Sequence, residues 1–318
     1  MAVEKRLMHY ASFDTQSSEE STSAPSTEKQ LVLARELKAE CEKLGFDSVE
    51  LTDTGIVYAY LNANTDKKMD RIGFIAHMDT ASEITGANVK CRVISKYDGN
   101  TIQLNEEYSM SKEEFPALAN CIGDDLIVTD GTTLLGADDK AGIAIILEAM
   151  EQLIQSEKEH GFIAVAFTPD EEVSGLAKDL DLERFKSPIA YTLDGDHLGY
   201  YMDETFNASL STIEIHGISV HTATAKGIMK NAVDIGNEFL NKLPALEKPQ
   251  YTQGREGFYH VVSFNGDCEY AKIEINVRDH DSLQFDIRNN TLKMIVDMLN
   301  EEYGQGTVNI TQRIQYRN

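Results

Sequence analysis

Four short apolar runs in this chain each end in acidic residues, and that pattern limits the fold more than any other feature. They are Arg71-Ile-Gly-Phe-Ile-Ala-His77-Met-Asp79, Thr133-Leu-Leu-Gly-Ala-Asp138-Asp139-Lys140, Phe162-Ile-Ala-Val-Ala-Phe-Thr-Pro-Asp170-Glu171-Glu172 and Ile189-Ala-Tyr-Thr-Leu-Asp194. At least three have the character of short buried strands: apolar, β-branched, and bounded by Gly, Pro or charge. In open α/β sheets ligands gather just beyond the carboxyl ends of the strands. A His and several carboxylates stand at those ends here, so side chains distant in sequence converge on one crevice. One His with several Asp and Glu, and no Cys, suits Zn²⁺, Mn²⁺ or Co²⁺.

The spacing predicts helices over 3–12 and 27–45, the second with Ser26-Thr27-Glu28 as its N-cap after Pro25. Residues 16–26 form a Ser/Thr-rich loop. Strands are expected near 48–51, 55–61 and 71–76. An irregular, acidic excursion beside the site covers 81–120. A helix runs from Asp138 to about Gln155 with one apolar face. Strands at 162–168 and 189–194 flank a short helix near 179–186. This is an α/β pattern with a mostly parallel sheet. A second unit has a strand at 210–218 and a helix at 227–243. Strands at 258–264 and 269–277 follow around Asn265-Gly266-Asp267, then a helix at 281–303 and a strand at 307–315. That order, β-α-β-β-α-β, is the ferredoxin-like unit of an α+β domain. The chain therefore divides into 1–207, carrying the metal-type cluster, and 208–318.

With 318 residues and a hydrophobic content of 42%, there is ample chain for one large or two medium cores. The net charge of −24 argues against nucleic acid and anionic membranes as partners. The first ten residues lack the apolar core of a signal peptide. No apolar run approaches the ~20 residues of a membrane span. Cys41, Cys91, Cys121 and Cys268 are scattered without CxxC spacing and read as reduced thiols of a cytoplasmic protein.

Each acidic cluster has a bland alternative. His77-x-Asp79 puts both side chains on one side of an extended chain. It is either an imidazole oriented by a carboxylate or a His in a turn. Asp138-Asp139 stands where a loop meets a helix, so an Asp there caps the helix or bridges two cations. Asp170-Glu171-Glu172 is either an acidic loop or a pair in which one Glu ligates and the other takes a proton from water. Asp194 is a turn residue before Gly195 or a ligand to a second ion. HExxH, GxSxG and GxxxxGK[ST] are all missing, which leaves zincin, serine-hydrolase and P-loop chemistries without support.

At these residues the chain resembles the M20 metallopeptidase family, in the branch of aminopeptidases acting on tripeptides. The likeness spans nearly all 318 residues. It is carried by Tyr10-Ala-Ser-Phe-Asp-Thr-Gln-Ser17, Pro25-Ser-Thr-Glu28, Phe74-Ile-Ala-His-Met-Asp-Thr80, Thr133–Gly142, Val165–Val173 and Tyr191–Gly195. Further on come Val220-His221, Thr224–Gly227, Glu256–His260 and Arg278-Asp279. The resemblance implies a zinc-peptidase-like catalytic domain plus a lid domain. It implies two Zn²⁺ per site, with His77, Asp138, Glu172 and Asp194 as ligands and Asp138 bridging. Glu171 would be the general base, Asp79 the residue that orients His77, His221 an oxyanion donor, and Arg278 the holder of a substrate carboxylate.

Some stretches depart from the family pattern. His221-Thr-Ala-Thr224 stands where the family has His-Pro-Gly-Thr, and Asp196 replaces a Gly. The family's returning C-terminal segment, with a further His ligand, has no counterpart up to Asn318. The first expectation is an aminopeptidase for short peptides. The second is a truncated, impaired homologue that binds metal or peptide, whose uncovered sheet favours homo-oligomers. The third, an acidic Mg²⁺-dependent phosphoryl-transfer protein, leaves His77 and Glu171-Glu172 unexplained.

Overall fold

A computed structural model describes residues 2–173, 180–195 and 198–318. The backbone forms two compact units, Met1–Leu198 and Gly199–Asn318. The expected helix start at 179 and the substitution at Asp196 lie outside the described residues.

In the first unit, helices α1 (Val3–Ala11) and α2 (Gln30–Leu44) precede strands β1 (Ser48–Leu51), β2 (Val57–Leu61) and β3 (Ile72–His77). Helix α3 (Ala137–Ser156), strand β8 (Ile163–Thr168), helix α4 (Leu182–Phe185) and strand β9 (Ala190–Thr192) come later. The sheet order is β1-β2-β8-β3-β9. Strands β8, β3 and β9 run parallel, whereas β2 joins β8 antiparallel and β1 closes a hairpin on β2. The sheet is thus parallel at the end that carries the acidic clusters and antiparallel at the other. Every residue of β2 and β8 is buried, because both faces of the sheet are covered. One face packs Leu33, Leu37, Ile143, Leu147, Val165 and Phe167 against α2 and α3. The other buries Tyr58, Tyr60 and Phe185.

Three expectations change here. The stretch 81–120 is not wholly irregular: β4 (Arg92–Ile94) pairs with β7 (Leu126–Val128), and β5 (Ile102–Gln103) with β6 (Ser109–Met110). Strands of two or three residues are too short to carry a period-two pattern. Strand β9 is exposed along its length, an edge strand rather than a buried one. Helix α2 begins at Gln30, and its N-cap position, Lys29, makes no side-chain cap bond. Ser26 is engaged elsewhere.

Arg6 joins three helices. Its guanidinium, 1% exposed, reaches Glu40 of α2 at 2.8 Å and Glu148 and Glu151 of α3 at 2.5 and 2.6 Å. Removing one partner of a buried ion group leaves the rest uncompensated. Arg6→Ala should therefore lower stability by about 3–5 kcal/mol. A denaturant midpoint within experimental error of the parent would refute this.

The second unit holds β10 (Asn207–His216), α5 (Ala232–Asn241), β11 (Phe258–Gly266), β12 (Tyr270–Asp279), α6 (Ser282–Tyr303) and β13 (Val308–Tyr316). The four strands are all antiparallel in the order β11-β12-β10-β13, the ferredoxin-like arrangement. Ile213, Ile215, Ile273, Ile275 and Val277 alternate onto one face and pack against Phe239, Phe285, Leu292 and Leu299 of the helices. Helix α5 starts five residues later than its sequence pattern predicts. A 3₁₀ turn at Thr222–Thr224 precedes it, and Asn231 caps it by accepting from the Val233 amide.

Candidate metal centre

Strand β3 ends at His77, which is 2% exposed. Two residues on, Asp79 is fully buried. Its two carboxylate oxygens accept from the backbone amides of Glu171 and Glu172, at 3.0 and 3.1 Å. Asp79 Oδ1 also lies 3.3 Å from His77 Nδ1. One carboxylate thus ties the end of β3 to the loop after β8 and turns Nε2 of the imidazole toward the crevice. Burial works to raise the Asp79 carboxyl, but the His77 bond and charge and the Glu171 amide hold it below its ordinary value. Burial likewise opposes charge on His77. The Asp79 hydrogen bond and charge, with Asp139 and Glu171 nearby, outweigh burial and push His77 up to about 10.

His77 Nε2 meets Asp138 Oδ1 at 2.9 Å, Asp194 Oδ2 at 3.8 Å and Glu171 Oε2 at 3.9 Å. Among the described residues, two sets offer ligand atoms within 4.8 Å of one another: His77, Asp138 and Glu172, and His77, Glu171 and Asp194. The expected ligands are therefore together, and Glu171 lies among them. Burial and neighbouring carboxylates raise Glu171, Glu172 and Asp194 above their ordinary values. Four carboxylates around one imidazole form a donor set that fits divalent cations.

Asp138 is reached not from a strand end but from the turn into α3, since β7 ends at Val128. Backbone angles at Asp138 (φ −81°, ψ 108°) and Asp139 (φ −116°, ψ 33°) are not helical. The two acids divide the roles that sequence leaves open. Asp139 caps the helix, its Oδ1 accepting from Gly142 N at 3.1 Å, and its Oδ2 accepts from His77 N at 3.3 Å. Asp138, with a side chain 72% exposed, makes no such bond. Burial raises Asp139 to about 8. Gly142 admits this closeness: a Cβ there would stand 2.3 Å from Leu193 O and 2.4 Å from Asp139 Oδ1. Lys140 is buried, which lowers it to about 8, and its ammonium donates to Phe13 O at 2.8 Å.

Sequence reasoning left open which of Asp138 and Asp139 caps the helix, and missed what Ser26 and Gln30 do. Ser26 and Gln30 bind the Asp170 side chain, so the polar 16–30 segment braces the Glu171 loop. Their polar spacing is also that of a helix start, and only the tertiary partner distinguishes the two.

The remaining two candidates belong to the second unit. His221 is exposed, and its Nδ1 accepts from Ala223 N at 3.2 Å. Arg278, on β12, has its guanidinium 5.4 Å from the Phe206 ring centre and 5.6 Å from that of Tyr316, and donates to Gln315 at 2.9 Å.

A proton competes with any cation for His77. With the metal-free imidazole titrating near 10, each step up in pH below that value frees more neutral ligand. Zinc affinity should rise by up to about tenfold per pH unit between about pH 6 and 9. A flat affinity measured by competition titration over that range would show that no proton on His77 competes with the ion.

Known proteins resemble this chain in sequence and in fold. Residues 204–307 match the peptidase dimerisation domain of the M20 family. Peptidase T of Caldanaerobacter subterraneus subsp. tengcongensis is 49% identical over 319 residues, which covers 99% of this chain and 78% of that one. Peptidase T of Clostridium novyi is 46% identical over 320 residues, covering 100% and 79%. The crystal structure of aminopeptidase PepT from Bacillus cereus superposes with a TM-score of 0.76 at 22% identity, covering 99% of this chain and 76% of that one.

Proposed function

The chain belongs to the peptidase T family of M20 metallopeptidases, and on that footing we propose that it removes the N-terminal residue from tripeptides, using two zinc ions held around His77. The observation that carries this reading is the convergence of carboxylates from the α3 turn, the loop after β8 and the end of β9 on one buried imidazole. In this reading His77, Asp138, Glu172 and Asp194 would hold the ions, with Asp138 shared between them. Mn²⁺ or Co²⁺ would suit the same donors. Bound zinc supplies Lewis acidity, polarising a carbonyl and making water more acidic.

The protein's own groups supply the rest. Asp79, held by two amides and close to Nδ1, would fix the His77 ring with Nε2 turned to the crevice. Glu171 is half-buried among like charges, which raises its carboxyl toward neutrality. A carboxylate so placed accepts a proton from attacking water and returns it to the leaving amine. His221 would donate to the developing oxyanion, and Arg278, stiffened between two rings, would hold the peptide's carboxylate. Residues 1–207 are taken as the catalytic part and 208–318 as the lid. Among the described residues no helix is long and apolar enough to cross a membrane. The four cysteines are free thiols, which suits the cytoplasm.

Release of the N-terminal amino acid from a tripeptide by the purified protein, dependent on added Zn²⁺, Mn²⁺ or Co²⁺, tests this. Phosphate release with no peptide cleavage under the same conditions would overturn it.

A further inference from the structure

We propose that Ser26, Gln30 and Asp170 form a lock that positions Glu171 and Glu172, and that its closure sets both turnover and cation affinity. The proposal rests on the roles given above to those two glutamates. Asp170 has φ 60°, the left-handed region in which Asp is tolerated better than most residues. Its carboxylate is fully engaged. Oδ2 accepts from Ser26 N at 2.7 Å; Oδ1 accepts from Ser26 Oγ at 2.5 Å and from Gln30 Nε2 at 2.7 Å. The bond is returned: Asp170 N donates to Gln30 Oε1 at 3.1 Å. Gln30 is fully buried at the start of α2, and Ser26 is 9% exposed.

The loop after β8 is thus gripped from two sides. Asp79 holds the amides of Glu171 and Glu172, and the α2 side holds Asp170 just before them. With one grip alone the loop can pivot about the other, and both glutamate side chains swing with it. A reacting group displaced by about 1 Å can cost about 10²-fold in rate. Partners that orient metal ligands typically contribute about 10–100-fold to affinity or activity. The side chains of Ser26 and Gln30 are turned to Asp170, so they act through position. The lock also gives the Ser/Thr-rich segment a purpose: Ser26 Oγ accepts from Ser18 N at 3.0 Å, fastening that loop to the same point.

The test is a polarity swap. Asp170→Asn turns a donor toward the Gln30 amide nitrogen, and Gln30→Glu sets two carboxylates against each other. Combined, the new amide at 170 donates to the new carboxylate at 30, and Ser26 N keeps an acceptor. Each single variant should lower kcat by about 10–100-fold with KM within about threefold, and weaken zinc binding by a similar factor. The double variant should recover to within about fivefold of the parent, a coupling that a general loss of packing would not produce. Amide exchange at Glu171 and Glu172, measured without metal, should quicken in the singles and slow again in the double. Singles that leave exchange, affinity and kcat unchanged would overturn the lock, as would a double no better than the worse single. If the parent cleaves no peptide, the proposed function fails, while exchange and zinc affinity still decide on the lock.

Discussion

Glu171→Gln should remove peptide turnover while the protein keeps its metal. The substitution preserves size and hydrogen-bonding shape but cannot accept a proton at neutral pH. Losing a general base typically costs about 10²–10⁴-fold, or about 2.7–5.5 kcal/mol of transition-state stabilisation. In the proposed role the residue is half-buried, with its carboxyl raised by burial and by Asp194, Asp79 and Asp138. Its Oε2 also lies within reach of His77 and Asp194, which makes the outcome informative. Metal analysis beside the rate decides between the two glutamates. If bound metal falls in step with activity, Glu171 is a ligand, and the roles of Glu171 and Glu172 are exchanged.

Asp138→Ala should weaken the binding of both ions, and with them all activity. A carboxylate shared by two cations about 3.5–4 Å apart screens their mutual repulsion, so its loss is felt by each. Asp194→Ala should release mainly one. Folding stability should move little with Asp138→Ala, within about 0.5 kcal/mol, because the side chain is largely exposed and Asp139 carries the helix cap. Two ions retained by the Asp138→Ala protein, by mass spectrometry under native conditions, would remove the bridge from the reading.

The parts of this fold legible in the sequence are those governed by period and punctuation. Apolar runs such as Ile163–Thr168 show themselves because both faces of the strand are buried. The ferredoxin-like order of the second unit is visible because β10 and β12 alternate along most of their length and Asn265-Gly266-Asp267 marks a turn. At the site, His77 and the acids that follow the runs stand out by position alone. What hides is whatever depends on a partner far away in the chain. Nothing local separates Asp138 from Asp139; the difference is that one carboxylate meets the amides of His77 and Gly142 and the other does not. Ser26 has every mark of a helix cap and is claimed instead by Asp170, 144 residues on. The small sheets between Arg92 and Val128 are too short for a period to register. Ala190–Thr192 has a buried strand's composition but an edge strand's exposure.

The strand order has a bearing on how the chain is made. Strands β2 and β3 follow one another in sequence yet are not neighbours, because β8 lies between them. Roughly one hundred residues separate the end of β2 from the start of β8, which at about 5–20 residues per second take about 5–20 s to synthesise. Through that interval a nascent chain carries two apolar strands whose shared partner does not yet exist. Non-local pairing of this kind slows folding and leaves strand edges open to the wrong partners. The central strand that joins the metal-type cluster to the rest of the sheet is therefore also the piece on whose late arrival the pairing of both earlier strands waits.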